Sequence, residues 1–340
     1  MRPLLLPANQ PRSFYRGGGR IAAFRGTPAP GDPYLPEDWV ASTTTRSGRP
    51  DAGLTTLPDG RLLRAAVTAD PMGWLGPEHA ARHGADVGLL VKLLDAGERL
   101  PLHLHPDRDF ARSHLASPYG KTEAWVVVEA APDAAVHLGF SRDVDAEELA
   151  VWVADQKIET MLAVTNRVPV RAGDAVLCPA GVPHAIGEGV LLVELQEPTD
   201  LSVLLEWEGF AIDGTVEGHL GLGLDVALRC VDRSAWSPAR IDAELRGAPG
   251  GRAVRDGISS LLPPAADGFF VAERVDARPR VRLEPGFAVL VVLAGSGLLI
   301  WPDAGETLEV GAGATVVVPH GAGACRVEGP LTAVRCRPAP

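Results

Sequence analysis

Two short motifs that combine glycine turns with histidine constrain the fold of this chain more than any other feature of its sequence. The first is Gly97-x5-His103-x-His105 and the second is Gly173-x5-Pro179-x-Gly181-x2-His184. An apolar run at 87–94 precedes the first motif, and a second run lies inside the other motif; both are typical of buried strands. Because side chains alternate along a strand, His103 and His105 point to the same side. The motifs therefore predict β-structure that brings imidazoles together.

Three histidines and one glutamate form a candidate ligand set for a divalent metal: His103, His105, Glu123 and His184. Imidazole nitrogens and carboxylate oxygens serve zinc, iron, manganese or nickel. A lone His-x-His pair on a surface strand would more often be solvated and without function. Two independent glycine-anchored spacings favour a metal site instead.

The two motifs resemble those of the cupin superfamily, whose members are small double-sheet jelly rolls with the metal inside the barrel. In the usual cupin layout the carboxylate follows His-x-His within a few residues, whereas Glu123 comes much later. The intervening insert has a helix start at Pro106-Asp107 and returns to a strand at Gly120-Lys121-Thr122-Glu123. The insert between His105 and Glu123 therefore helps to identify which family within the cupin superfamily the chain resembles.

With this insert, the sequence resembles a type I mannose-6-phosphate isomerase. The resemblance covers the order of elements over nearly the whole chain and is most specific from about 87 to 207. It is carried by these segments: Lys92-Leu93-Leu94-Asp95, His105-Pro106-Asp107, Gly120-Lys121-Thr122-Glu123, Pro179-Ala180-Gly181, His184-Ala185-Ile186 and Glu194-Leu195-Gln196-Glu197.

The resemblance implies a zinc-dependent aldose–ketose isomerase that converts mannose 6-phosphate to fructose 6-phosphate. It implies that zinc, or another divalent metal, is held by His103, His105, Glu123 and His184, with His103 where many members have Gln. Lys121 and Asp200 match family positions near the substrate and are the expected catalytic residues; Lys121 is also a candidate for substrate binding. Ser42, which follows a Trp-containing strand, is a second candidate for substrate contact.

The reaction moves a proton between C1 and C2 of the sugar through an enediol-like state. A divalent cation can polarise the two sugar oxygens, and a nearby base can carry the proton. Lys121 lies two residues from Glu123, hence on the same strand face. Without the family resemblance, a lysine before a strand would be interpreted as a solvated residue.

One position departs from the family pattern. The family has an arginine, regarded as catalytic, four residues after the Asp that matches Asp200, and this chain has Leu204 there. An isobutyl group cannot stabilise an enediolate or hold a phosphate. Three hypotheses follow: an arginine from elsewhere fills the gap, the substrate is a different or unphosphorylated sugar, or catalysis is lost.

The C-terminal part carries a degenerate copy of the second motif. Gly313-x5-Pro319-x-Gly321 reproduces the turn, but Ala324 stands where the histidine belongs, and His320 is interpreted as a turn residue.

We therefore predict a mainly β fold of two cupin jelly-roll barrels with an added helical segment, the second barrel being metal-free. The predicted domains are an N-terminal metal-binding cupin domain with a helical insert at 1–207, a connecting helical and loop segment at 208–265, and a C-terminal degenerate cupin barrel at 266–340. Helices are also predicted at 77–84 and 144–164.

Net charge and hydropathy limit the kinds of binding partner and the cellular location that are expected. The formal net charge of −11 disfavours a nucleic-acid or anionic membrane surface, so the expected partner is a sugar or sugar phosphate. The chain lacks an apolar run of membrane-spanning length, and no signal-peptide core is apparent, which favours a cytoplasmic protein. The sequence does not specify an oligomeric state. Two other function classes stay open: a non-catalytic sugar-binding regulator, and another metal-cupin enzyme such as a dioxygenase.

Overall fold

The computed structural model describes all 340 residues and consists mainly of antiparallel β-sheets connected by short helices. The strands, β1 to β20 in chain order, are Leu4–Leu5, Glu37–Val40, Leu90–Asp95, His103–Leu104, Glu123–Ala130, Ala135–Phe140, Thr165–Pro169, Ala175–Cys178, His184–Ile186, Val190–Gln196, Val203–Leu204, Arg252–Arg255, Ile258–Ser260, Phe270–Ala277, Arg280–Leu283, Ala288–Trp301, Glu306–Gly311, Thr315–Val318, Cys325–Glu328 and Leu331–Pro338. The α-helices, α1 to α10, are Arg20–Arg25, Leu63–Ala69, Pro71–Leu75, Pro77–His83, Arg108–Leu115, Ala146–Ala154, Ile158–Ala163, Gly214–Glu217, Leu224–Ala227 and Pro238–Glu244. The mainly β fold class is confirmed.

Two five-stranded sheets carry the histidine motifs. One has the strand order β2-β3-β10-β5-β8 and the other β11-β4-β9-β6-β7. His103 on β4 pairs directly with His184 on β9, whereas Glu123 begins β5 in the first sheet. The predicted ligands therefore come from both sheets and meet between them.

Strands β3 and β10 form the centre of the first sheet and are buried along their whole length. Their sequences, LVKLLD and VLLVELQ, are nearly continuous apolar runs, as expected for strands covered on both faces. The two charged interruptions lie opposite each other, because the register pairs Lys92 with Glu194. A cross-strand pair of opposite charge supports this register.

The C-terminal part forms a ten-stranded sheet with the main order β1-β18-β16-β20-β14-β13-β12. Strand β1, from the chain's N-terminus, joins this sheet through Leu4 opposite Val317. The segment 208–265 contains the predicted helices, but it ends in the β12–β13 hairpin, which the sequence analysis does not predict. The domain division at 207 and 265 stays a prediction.

Of the three helical stretches predicted before residue 165, two agree with the structure and one is divided. Helix α4 lies where residues 77–84 predict it. The stretch 144–164 is instead two helices, because Gln156 between them has a φ of 46° and its side-chain amide donates to the carbonyls of Val153 and Leu205. In the insert, Asp107 is the N-cap of α5 and accepts a hydrogen bond from the Phe110 N–H at 2.7 Å, so the helix begins just after Pro106-Asp107. None of the helices combines the length and the apolar character that a membrane crossing requires.

The glycine that opens the first motif is required by a close approach of two backbones. A Cβ atom on Gly97 would lie 2.2 Å from the carbonyl carbon of Gly17 and 2.4 Å from the nitrogen of Gly18. The Gly97 N–H also donates to the carbonyl of Arg16 at 3.0 Å. The motif glycine therefore holds the N-terminal segment against the turn that leads to His103.

We expect Gly97→Ala to lower the free energy of unfolding by about 1–3 kcal/mol, since the added methyl group forces backbone atoms apart. Denaturant unfolding followed by circular dichroism measures the change. The matched control is Gly31→Ala, because a Cβ on Gly31 meets nothing within 4 Å. Equal effects of the two substitutions would contradict the close-approach explanation.

Candidate metal centre and active site

The structure brings the four predicted metal ligands together. The ring centroids of His103 and His184 are 4.2 Å apart, and that of His105 lies 5.0 Å from His103 and 4.9 Å from His184. Glu123 places Oε2 3.1 Å from His105 Nε2 and Oε1 3.2 Å from His184 Nε2. All four side chains are buried.

Backbone carbonyls fix the tautomer of each imidazole. A carbonyl oxygen can only accept a hydrogen bond, so the ring nitrogen beside it must be Nδ1–H, and Nε2 then carries a lone pair. The three Nδ1 contacts are His103 to Pro101 O at 2.8 Å, His105 to Leu201 O at 2.8 Å, and His184 to Val182 O at 2.9 Å. This is the outer-sphere arrangement that orients histidine ligands toward a metal.

The inward-facing atoms lack the partners that burial demands. His184 Nε2 is buried without a hydrogen-bond partner, and Glu123 Oε2 has only the ion pair with Lys121 Nζ at 3.1 Å. With the tautomers above, both lone-pair-bearing Nε2 atoms of His105 and His184 face carboxylate oxygens, which would be unfavourable with nothing between them. A divalent cation satisfies all these atoms at once, so the donor set fits the metal that the sequence predicts.

Electrostatics keep His103, His105 and Glu123 in the protonation states that bind a metal. Burial, with Lys121 nearby, lowers the pKa of His105 to about 3. Burial, followed by the neighbouring His184 and His105, lowers the pKa of His103 well below its usual value. Burial alone would raise the pKa of Glu123, but Lys121, His105 and His184 outweigh it and lower that pKa. Neutral imidazoles and an ionised carboxylate are the forms that ligate.

Lys121 lies beside the cluster, as its spacing from Glu123 predicts. Its Nζ is 2.9 Å from His105 Nε2 and 3.1 Å from Glu123 Oε2, and its side chain is almost completely buried. The segment that carries it is held by Glu197, whose Oε2 accepts the N–H of Thr122 at 2.9 Å, while its Oε1 accepts from Arg108 of the insert helix. The insert thereby positions the lysine.

A small cavity of about 50 Å³ opens beside the metal ligands, and its wall includes His103, Lys121 and Glu123. An outer pocket of about 310 Å³ shares part of its wall with this cavity. The residues that line both spaces are Phe14, Arg46, Asp200, Ser202 and Leu204. Ligand pockets usually measure about 300–1,000 Å³, so a sugar would have to extend from the inner cavity into the outer pocket. A larger cleft of about 1130 Å³, near Arg171 and Arg246, contains none of the predicted ligands.

The other predicted site residues divide between the cavity and the core. Asp200 lines both spaces, and its Oδ2 accepts the N–H of Ser47 at 3.0 Å. Leu204 also lines both, and β11 places it opposite His103. Ser42 is fully buried, and its hydroxyl donates to the carbonyl of Thr44 at 3.0 Å. The structure does not bring Ser42 to the cavity.

Sequence reasoning missed a buried charged network in the sheet that also carries Glu123. Lys92 Nζ lies 3.3 Å from Glu37 Oε2 and 3.2 Å from Glu194 Oε2. Burial raises the pKa of Glu194 to about 7. The sequence did contain a signal for this network. A charged residue inside an otherwise apolar strand, as in LVKLLD and VLLVELQ, indicates a buried group that has a partner of opposite charge.

Two further residues touch the ligands without having been predicted. Trp125, two residues after Glu123 on β5, donates from Nε1 to Glu123 Oε1 at 3.0 Å and so orients the carboxylate. Cys178 lies close enough to Glu123 and His184 to form an alternative ligand group. Burial raises the pKa of the Cys178 thiol well above its usual value, which disfavours the thiolate that a metal needs.

Comparisons with known proteins give relatives of one kind. The mannose-6-phosphate isomerase ManA of Bacillus subtilis is 34% identical over 140 residues, which are 41% of this chain and 43% of that protein. The mannose-6-phosphate isomerase of Streptococcus mutans is 37% identical over 112 residues, 33% of this chain and 34% of that protein. The matched segment thus spans less than half the length of these curated relatives. No family model matches the chain.

The fold extends the likeness to the full length. The crystal structure of the mannose 6-phosphate isomerase from Bacillus subtilis matches with a TM-score of 0.72 at 20% identity, over 99% of this chain and 100% of that one. Phosphomannose isomerase from Salmonella typhimurium matches with a TM-score of 0.76 at 15% identity over 100% of both chains. The resemblance that the motifs indicate is confirmed: part of the chain is similar in sequence to mannose-6-phosphate isomerases, and the whole chain shares the fold of such proteins.

Proposed function

We propose that the protein is a metal-dependent aldose–ketose isomerase that acts on a hexose without a phosphate group. The observation that carries the proposal is the convergence of three Nε2 lone pairs and the Glu123 carboxylate beside Lys121, at a cavity that shares part of its wall with an outer pocket. The relatives named above support the reaction type. Zinc is the proposed metal, held by His103, His105, Glu123 and His184.

The metal, when bound, would polarise the carbonyl and hydroxyl oxygens at C1 and C2 of the sugar. The protein's own part is to bind the sugar and to move the proton. We assign proton transfer to Lys121, because its amine is on the cavity wall next to the ligands. We assign contact with the sugar hydroxyls to Asp200, whose carboxylate lines both the cavity and the pocket.

The charge of the outer pocket supports a substrate without phosphate. Among its lining residues Arg46 is the cation, whereas Asp200 and Glu217 are carboxylates. The remaining wall is largely apolar: Phe14, Leu204, Ile212, Val216 and Leu220. A phosphate dianion placed here would face net negative charge, while neutral hydroxyl groups would not. Mannose is therefore the first candidate, and mannose 6-phosphate the comparison.

A non-catalytic sugar-binding regulator is the second candidate, because Leu204 occupies the place where the family resemblance has a catalytic arginine. A protein of that kind would keep the metal and bind the sugar without converting it. No structural feature favours a dioxygenase in the same way.

Zinc-loaded protein is expected to convert mannose to its ketose, and to act less well on mannose 6-phosphate, when both are followed by NMR in parallel. Lys121→Met is expected to lower kcat by about 10²–10⁴-fold, the usual contribution of a positioned acid or base. Metal content, measured by mass spectrometry on the same samples, separates loss of proton transfer from loss of zinc.

The three other outcomes each have a defined meaning. Faster conversion of mannose 6-phosphate would contradict a substrate without phosphate and leave the isomerase reaction standing. Binding of mannose without conversion would support the regulator. Absence of both binding and conversion for the two sugars would overturn the proposed function.

A further inference from the structure

Strand β11 carries Leu204 at the position where the family that the chain resembles has a catalytic arginine. Leu204 pairs with His103 across the β4–β11 ladder and is almost completely buried, so its isobutyl group forms the wall between the metal ligands and the outer pocket. The Leu204 side chain offers no hydrogen-bond donor to a sugar oxygen that becomes negative during the reaction.

A guanidinium reaches the same wall from another part of the chain. Arg46 lines both the inner cavity and the outer pocket, and its side chain is only 12% exposed. Its Nη2 donates to the Ser13 hydroxyl at 3.1 Å. Its Nη1 is buried without a hydrogen-bond partner and stands 4.0 Å from Glu37 Oε2. A buried donor without a partner next to a cavity is available to a ligand.

The loop that carries Arg46 is fixed before any sugar binds. The Arg46 N–H donates to the carbonyl of Ala52 at 2.9 Å, and the Arg49 N–H donates to the carbonyl of Arg46 at 3.0 Å. The Ser47 N–H donates to Asp200 Oδ2 at 3.0 Å, which ties the loop to a cavity residue. Little side-chain or loop entropy is then lost on binding.

A purely structural role for Arg46 leaves part of its geometry unexplained. Glu37, its nearest carboxylate, already accepts hydrogen bonds from the Tyr15 hydroxyl and from Trp39 Nε1, and it pairs with Lys92 at 3.3 Å. Glu37 therefore has its hydrogen-bond partners without Arg46. The Arg46 guanidinium, 4.0 Å away, is too far from Glu37 for a hydrogen bond.

We propose that Arg46 supplies the guanidinium of the sugar site that position 204 lacks. It would donate to a sugar oxygen at the boundary of cavity and pocket and stabilise the negative charge that develops there. This inference rests on the proposed isomerase function. It adds to the proposed substrate without phosphate the hypothesis that an arginine from elsewhere fills the gap at Leu204, and it argues against lost catalysis.

Arg46→Ala is expected to lower kcat on the sugar that the wild type converts by about 100-fold, as for loss of one donor to an oxyanion. Arg46→Lys keeps the charge without the planar fork and is expected to recover part of the loss. Arg49→Ala, an exposed arginine on the same loop, is the matched control and is expected to leave turnover unchanged. The double variant Arg46→Ala/Leu204→Arg, which moves the guanidinium to position 204, is expected to regain part of the lost kcat.

Thermal unfolding and zinc content of each variant show whether the site is intact. If Arg46→Ala fails to fold, Arg46→Lys and Arg46→Gln provide the test. Turnover by a folded Arg46→Ala within twofold of an active wild type would overturn the assignment of Arg46 while the isomerase function stands. A wild type that neither converts nor binds mannose or mannose 6-phosphate, by saturation-transfer NMR, would overturn both.

Discussion

His184→Ala is expected to abolish stoichiometric zinc binding and, with it, the stabilisation that zinc gives to the folded protein. In the native chain, free zinc at about a thousandfold excess over its dissociation constant should add about 4 kcal/mol to the free energy of unfolding. His184 contributes an Nε2 that has no other partner, and Glu123 Oε1 lies 3.2 Å from it. Thermal unfolding with zinc and with a chelator, together with metal analysis, measures both quantities.

Two further variants make the metal experiment specific. His103→Gln replaces one neutral ligand by another and is expected to bind zinc more weakly without losing it. His137→Ala removes a half-buried histidine whose Nδ1 contacts the Thr165 hydroxyl at 2.8 Å. It pairs with Ala185, so strand alternation turns it to the face opposite His184, and its loss should leave the response to zinc unchanged. An unaltered zinc response in His184→Ala would contradict the assigned metal centre.

The candidate metal ligands could be identified from the sequence because their positions follow from local rules. His103 and His105 share a strand face through period two, and the glycine turns of both motifs fix where each strand ends. The helix of the insert could be placed because Asp107 is a good N-cap in front of it. Lys121 follows from the same alternation, since it is two residues from Glu123.

The remainder of the site depends on pairings that no local pattern encodes. Arg46 belongs to a loop whose place is set by a hydrogen bond between Ser47 and Asp200, 153 positions apart in the sequence. The family resemblance makes Ser42 a candidate for substrate contact, but its hydroxyl donates to the carbonyl of Thr44 within its own turn and does not line the cavity. The pattern at 144–164 predicts one helix and misses the break at Gln156. That break is stabilised by a hydrogen bond to the carbonyl of Leu205, which is distant in sequence.

Lys92→Met is expected to lower the free energy of unfolding by about 3–5 kcal/mol at neutral pH, the usual effect of removing one partner of a buried ion pair. Lys92 is 2% exposed and pairs with two buried carboxylates, Glu37 and Glu194. Glu37 keeps its hydrogen bonds from Tyr15 and Trp39. Glu194 Oε2 has no hydrogen-bond partner, so its charge would be left in the core. Denaturant unfolding at several pH values measures the loss.

The pH dependence of that loss distinguishes an unpaired carboxylate from a packing defect. Burial already raises the pKa of Glu194 to about 7, and removing Lys92 should raise this pKa further. A carboxyl whose pKa is higher in the folded than in the unfolded state favours folding as the pH falls, so the deficit should shrink from about pH 8 to about pH 5. Lys157→Met is the control, because Lys157 pairs with Asp155 at the surface and should change stability by less than about 1 kcal/mol. A deficit in Lys92→Met that is constant over this pH range would contradict the unpaired charge and indicate lost packing instead.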